Sequence, residues 1–123
     1  MKKEDLDFEI NFFESLIEKY PNFISALFAL GQAYTQKGLY EKGLQTDQRL
    51  AQLRPDDPVV FYNLACDYSL LNRIENSLSC LKQAISLGYD DFKNLEKDPD
   101  LENLRRQPSY KQLLCEIKQA GTC

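Results

Sequence analysis

The chain has 123 residues, 43% hydrophobic and 28% charged, with seven Phe and seven Tyr. This is one domain's length with ordinary globular composition, which excludes disordered and collagen-like classes. A net charge of −4 with no basic stripe opposes nucleic-acid binding, and the absence of histidine removes the Ser-His-Asp and Cys-His nucleophile systems.

The start, Met1-Lys2-Lys3-Glu4-Asp5-Leu6-Asp7, turns acidic where the apolar part of a secretion signal would begin. No stretch approaches the roughly 18 apolar residues of a membrane span. Both features predict a cytoplasmic, reducing compartment without membrane insertion. Cys66, Cys80, Cys115 and Cys123 show no C-x-x-C spacing and read as structural thiols, not a zinc or redox motif. Cys123 is expected to be exposed and prone to oxidative dimers.

In chain order, residues 6–20 form the first predicted helix, carrying Leu6, Phe8, Ile10, Phe12, Phe13 and Leu16 before Tyr20-Pro21 ends it. Residues 24–57 and 58–91 then align without gaps at an offset of 34 residues. Identities fall at Leu30/Leu64, Tyr34/Tyr68, Glu41/Glu75, Leu44/Leu78, Leu53/Leu87, Asp56/Asp90 and Asp57/Asp91. Each unit reads as two helices. In the first unit Leu27, Leu30 and Tyr34 share a face, Gly38 stops the helix, and Leu44, Leu50 and Leu53 mark the next. Asp57-Pro58 gives an N-cap followed by Pro at N1. The second unit repeats this with Phe61, Leu64 and Tyr68, with Asn72 as a left-handed stop and Gly88 closing the following helix. Residues 92–119 form a degenerate further unit broken by Pro99 and Pro108. Its last helix, 109–119, places Tyr110, Leu113, Leu114 and Ile117 on one face and is expected to cap the stack or fold back into its groove.

Leu27, Leu30, Gly31, Tyr34 and Pro55, with Phe61, Leu64, Ala65, Tyr68 and Leu81, give the chain a pattern that resembles the tetratricopeptide repeat family, in the form of a small bacterial-type member. The resemblance implies an all-α fold of antiparallel helix-turn-helix repeats stacked as a short right-handed α-solenoid. It implies one domain over 1–123: an opening half-repeat helix (6–20), repeat one (24–57), repeat two (58–91), and a degenerate repeat with a C-terminal capping helix (92–119). Two departures stand out. Gly43 and Ser77 occupy positions where the family prefers Ala, and Asp47 stands where a large apolar residue is expected. A lone buried carboxylate costs several kcal/mol, so Asp47 is expected to reach water on a rotated or edge helix, the alternative being a polar partner or ligand.

The resemblance further implies a non-catalytic protein–protein interaction module that binds a peptide or helix of a partner on its concave face, with no cofactor or metal. It places Phe28, Gln32 and Thr35 from repeat one, and Tyr62, Asn63, Cys66 and Ser69 from repeat two, along that groove. The expected lining is aromatic and uncharged. One alternative is a self-assembling homodimer scaffold formed through the opening-helix face with Phe8, Phe12 and Phe13, which lacks a covering helix. A minor alternative is a carboxylate-clamp co-chaperone, for which Lys93 and Lys97 would supply contacts. Asp56-Asp57 and Asp90-Asp91 are read as helix caps, and Asp98-Pro99-Asp100 does not supply a calcium loop.

Overall fold

A computed structural model describes residues 3–122, with side chains described for 5–118. Cys123 and the expectation attached to it lie outside the described residues. The elements are α1 (Lys3–Lys19), α2 (Ile24–Lys37), α3 (Tyr40–Leu53), α4 (Pro58–Leu70), α5 (Ile74–Ser86), α6 (Phe92–Lys97), a 3-10 turn (Pro99–Leu101), α7 (Glu102–Arg105) and α8 (Pro108–Thr122). The fold is all-α, and its successive helix pairs stack as a solenoid: α2 packs on α3, α4 on α5, and α3 on α4.

The turns form where the sequence supplies the required backbone. Gly38 (φ 86°) and Gly88 (φ 114°) take left-handed conformations after α2 and α5. Asn72 does the same after α4 at φ 58°, a region that Asn tolerates better than most residues. Asp57 accepts the Val59 N–H at 2.9 Å ahead of Pro58, and Asp91 accepts the Asn94 N–H at 3.1 Å. Each cap satisfies an amide the helix itself leaves unpaired.

The core gathers in three patches. Leu6 and Ile10 of α1 pack on Leu30, Ala33 and Tyr34 of α2, so α1 covers that face of α2. Leu27, Leu50 and Val60 join the two repeats, with Phe28 packed against them. The largest patch gathers Ala65, Leu81 and Ala84 with Leu95, Leu101, Leu104, Tyr110 and Leu113. Leu95, Leu101 and Leu104 are fully buried, each stabilising by about 1.5–3 kcal/mol.

The C-terminal segment docks on α4 through the 3-10 turn and α7. Fully buried Ser69 ties it down: its hydroxyl accepts the Leu104 N–H at 3.2 Å and its carbonyl accepts Asn103 Nδ2 at 2.9 Å. Helix α8 buries Tyr110 and Leu113 in the same patch. None of its described side chains lines the cavity between α2 and α4.

Candidate functional site

Between the two first helices lies a cavity of about 310 Å³. Helix α2 contributes Gly31, Gln32, Thr35 and Gln36, and α4 contributes Tyr62, Asn63, Cys66 and Asp67. Asp47 enters from α3, and Asp98 and Asp100 from the tail. No Lys or Arg among the described residues lines it.

The wall on the tail side is a hydrogen-bonded unit. The Tyr62 hydroxyl donates to the Asp98 carboxylate, and its ring stacks on Tyr89 with centroids 4.4 Å apart and planes 8° from parallel. Asn94 Nδ2 donates to both hydroxyls, at 2.9 Å to Tyr62 and 3.1 Å to Tyr89. Asp98 also accepts the Asp100 N–H at 3.0 Å, the cap that starts the 3-10 turn after Pro99. The Cys66 thiol lies 3.9 Å from Asp98 Oδ2. Burial, then the nearby Asp98 charge, pushes the Cys66 thiol up, so it stays protonated. Burial also raises the Asp100 carboxyl, with Asp98 adding to it. Cys66 Sγ and carboxylate oxygens of Asp98 and Asp100 lie within 4.8 Å of one another. Of that trio, the Asp98 carboxylate is already engaged by the Tyr62 hydroxyl and the Asp100 N–H.

The opposite wall holds two buried acids. Asp47 is 5% exposed and Asp67 is 2% exposed. Their carboxyl groups face each other, and burial raises both. Two carboxylates in contact in a dry site cannot both ionise, so the pair holds one proton in common. Apart from that shared proton, no donor among the described residues reaches Asp67 Oδ2. Gly31 makes room for this arrangement: a Cβ there would stand 2.9 Å from Asp47 Oδ1. Gly43 lies beside the same pair, its Cβ position 3.7 Å from Asp67 Oδ1.

The expectation that Asp47 reaches water is thus corrected. Its helix is not rotated outward; the carboxyl is buried and partnered by a second acid from the next repeat. The uncharged lining expected for the groove is corrected as well, because Asp47, Asp67, Asp98 and Asp100 converge there. Of the sequence-derived groove residues, Gln32, Thr35, Tyr62, Asn63 and Cys66 come together on the cavity wall. Phe28 lies against Leu27, Leu50 and Val60 instead, and Ser69 is enclosed beneath the tail. Lys93 and Lys97 lie on α6 and do not line the cavity. Asp47 stood out as a polar residue at an apolar position, and its alternative of a polar partner is the one the structure favours; Asp67, Asp98 and Asp100 were missed because each looks ordinary by itself. The one available signal was Asp47 itself, a carboxylate at a position where an apolar residue is expected.

With this geometry in hand, the family is defined. A tetratricopeptide repeat profile matches residues 24–57 and 59–88, and the chain belongs to that family. Among similar proteins, a chloroplastic protein of Arabidopsis thaliana is 36% identical over 93 residues, covering 73% of this chain and 28% of that protein. "Tetratricopeptide repeat protein 13" of Homo sapiens is 35% identical over 86 residues, covering 66% of this chain and 10% of that protein. The chain thus spans less than a third of either relative. The solved structure of MamA 41-end from Desulfovibrio magneticus RS-1 superposes with a TM-score of 0.68 at 17% identity, over 98% of this chain and 70% of that one, a likeness of fold. Among the described residues, no helix is long and apolar enough to cross a membrane.

Proposed function

We propose that this chain is a non-catalytic interaction module that holds a peptide or helix of a partner protein in the groove between α2 and α4. The observation that carries the reading is the concave cavity rimmed by the amide side chains of Gln32, Gln36 and Asn63. Amides offer both donors and acceptors, which suits the backbone of an extended guest. Membership of a family of helical-repeat interaction proteins supports it. The test is to pan a random peptide library on the full chain and map a selected peptide by amide chemical shifts. Shifts confined to Gln32, Thr35 and Asn63, with binding lost in Asn63→Arg, are the expected result. Failure to select any peptide, or shifts elsewhere, would count against the groove.

A second reading is favoured by one observation. Phe8 and Phe12, one turn apart on α1, are 73% and 54% exposed. Two such rings on one face are an association surface for a second copy of the chain. Light scattering should then report a mass that rises with concentration in the wild type and stays monomeric in Phe8→Ser. A concentration-independent monomer removes this reading. The carboxylate-clamp alternative is not carried forward, since a carboxylate entering this cavity would meet four acids and no lysine.

A further inference from the structure

We infer that the face of α1 turned away from α2 is a two-fold interface with a second copy of this chain, in which two α1 helices pack antiparallel about Phe12 and Asp5 of one protomer meets Lys19 of its partner. The inference rests on the self-association reading and specifies its geometry. At about 100° per residue, Asp5, Phe8, Phe12, Leu16 and Lys19 share a sector about 80° wide, centred on Phe12. Leu6 and Ile10, which meet Leu30, Ala33 and Tyr34, lie on the other side of the helix. Asp5, Phe8, Phe12 and Lys19 are exposed, and Leu16, partly buried, joins none of the core patches among the described residues. The acids on the α2 side are engaged within the chain: Asp7 pairs with Lys37, and Glu14 accepts the Tyr34 hydroxyl. Asp5 and Lys19 have no ion-pair partner among the described residues.

The order of the exposed residues selects the occupant. Counted from Phe12, Asp5 lies seven residues before and Lys19 seven after, while Phe8 lies four before and Leu16 four after. Turned end for end about Phe12, the stripe offers itself opposite charges at both ends and apolar side chains between them. A two-fold contact needs this self-complementarity, because the same patch serves both protomers. Phe12 is braced by an edge-on contact with Phe13, centroids 5.3 Å apart, and Phe13 packs on the Leu6–Ile10 patch. A parallel pair would set each Asp5 and each Lys19 against its own copy. An antiparallel pair centred between Phe8 and Phe12 would face Asp5 with Ser15 and leave Lys19 without an acid opposite. The contact runs about 21 Å along each helix. That is a small interface, in which the charges fix register and orientation more than strength.

The experiment reads mass against concentration by sedimentation equilibrium, in reductant. It compares the wild type, Asp5→Lys, Lys19→Glu and an equimolar mixture of these two variants. Both positions are exposed, so the variants should keep the wild-type circular dichroism. The wild type should dimerise. Each single reversal opposes like charges at both ends of the contact and should weaken the dimer about tenfold. In the mixture every end again joins opposite charges, and the dimer should return close to wild-type strength. A wild-type dimer that either reversal leaves unchanged has another register or orientation; this overturns the inference and leaves the self-association reading standing. Weakening by the single reversals without recovery in the mixture does the same, since it reflects lost charge at the helix ends rather than pairing. A dimer that survives Phe8→Ser lies elsewhere on the molecule and overturns both. A wild type that stays monomeric at every concentration removes both readings together.

Discussion

The carboxyl groups of Asp47 and Asp67 meet inside the joint between the two repeats, one from the second helix of the first repeat and one from the first helix of the next. Two acids in contact are the reverse of what a core normally accepts. A shared proton makes the pair tolerable, converting a repulsion into a hydrogen bond.

The first prediction follows from that proton. Burial, then the Asp47 partner, pushes Asp67 up to about 10, whereas an unfolded Asp titrates near 3.9. Between those values the folded chain holds a proton that the unfolded chain has released. Stability from this pair is therefore complete below about pH 4 and declines as pH rises, by at most about 1.4 kcal/mol per pH unit for one proton. Urea midpoints should fall from pH 5 to pH 8. Asp67→Asn supplies a permanent N–H in place of the shared proton and should flatten that fall. Equal slopes in wild type and Asp67→Asn would remove the shared-proton account.

A second prediction concerns Gly31. In an ordinary helix Gly→Ala stabilises by about 1 kcal/mol. Here the new Cβ would press on Asp47 Oδ1 at 2.9 Å, and Asp47 has Asp67 on its other side. Overpacking of this kind costs roughly 1–3 kcal/mol, so Gly31→Ala should destabilise. In an Asp47→Ala background the obstacle is gone and Gly31→Ala should stabilise instead. A double-mutant cycle by urea unfolding reads this reversal of sign directly. The same cost in both backgrounds would mean that the glycine serves some other need.

The contrast between these acids and the repeat frame shows where sequence is informative. The 34-residue offset, the Asp57-Pro58 cap and the positive-φ stops at Gly38, Asn72 and Gly88 are local signals, legible because adjacent residues decide them. That α1 is apolar was legible, but that Leu6 and Ile10 are the residues that meet α2 is a tertiary outcome. The electrostatics of the cavity were not legible. Asp47 and Asp67 lie 20 positions apart in the chain and acquire meaning only when α3 and α4 are placed side by side. Asp98 and Asp100 belong to a tail whose helical period is broken by Pro99 and Pro108, so its path back over α4 is a tertiary outcome. Tyr62 was placed along the groove. It lies on the wall, but its hydroxyl is committed to Asp98 and its ring to Tyr89.

That commitment separates two chemically identical substitutions. Tyr62→Phe deletes the donor to the Asp98 carboxylate and an acceptor for Asn94. A loss of about 1.5–3 kcal/mol is expected for a part-buried hydrogen bond to a carboxylate. Tyr110 is 3% exposed, and its hydroxyl has no hydrogen-bond partner among the described residues. Tyr110→Phe removes an unsatisfied polar group and should be neutral or stabilising by up to about 1 kcal/mol. Urea unfolding of both variants at one pH checks the opposite signs. A substantial loss in Tyr110→Phe would show that its hydroxyl is engaged after all.

The last prediction concerns how the tail holds the acidic wall in place. Arg105 Nη1 donates to the carbonyls of Leu95 and Asp98, at 3.1 and 2.6 Å. One guanidinium thus pins the end of α6 and the start of the 3-10 turn that presents Asp98 and Asp100. Lysine cannot reproduce this, since a compact ammonium on a flexible stem lacks the rigid fork. Arg105→Lys should leave the helices of both repeats intact, because their core patches do not include Arg105. It should nevertheless speed amide hydrogen exchange at Asp98 and Leu101, whose N–H groups close the two turns, onto the carbonyls of Asn94 and Asp98. Exchange in α2 and α3 should be unchanged, which marks the effect as local opening rather than global unfolding. Uniform acceleration along the chain would mean that the tail and the repeats unfold as one unit, and that Arg105 supports the stack as a whole rather than the cavity wall.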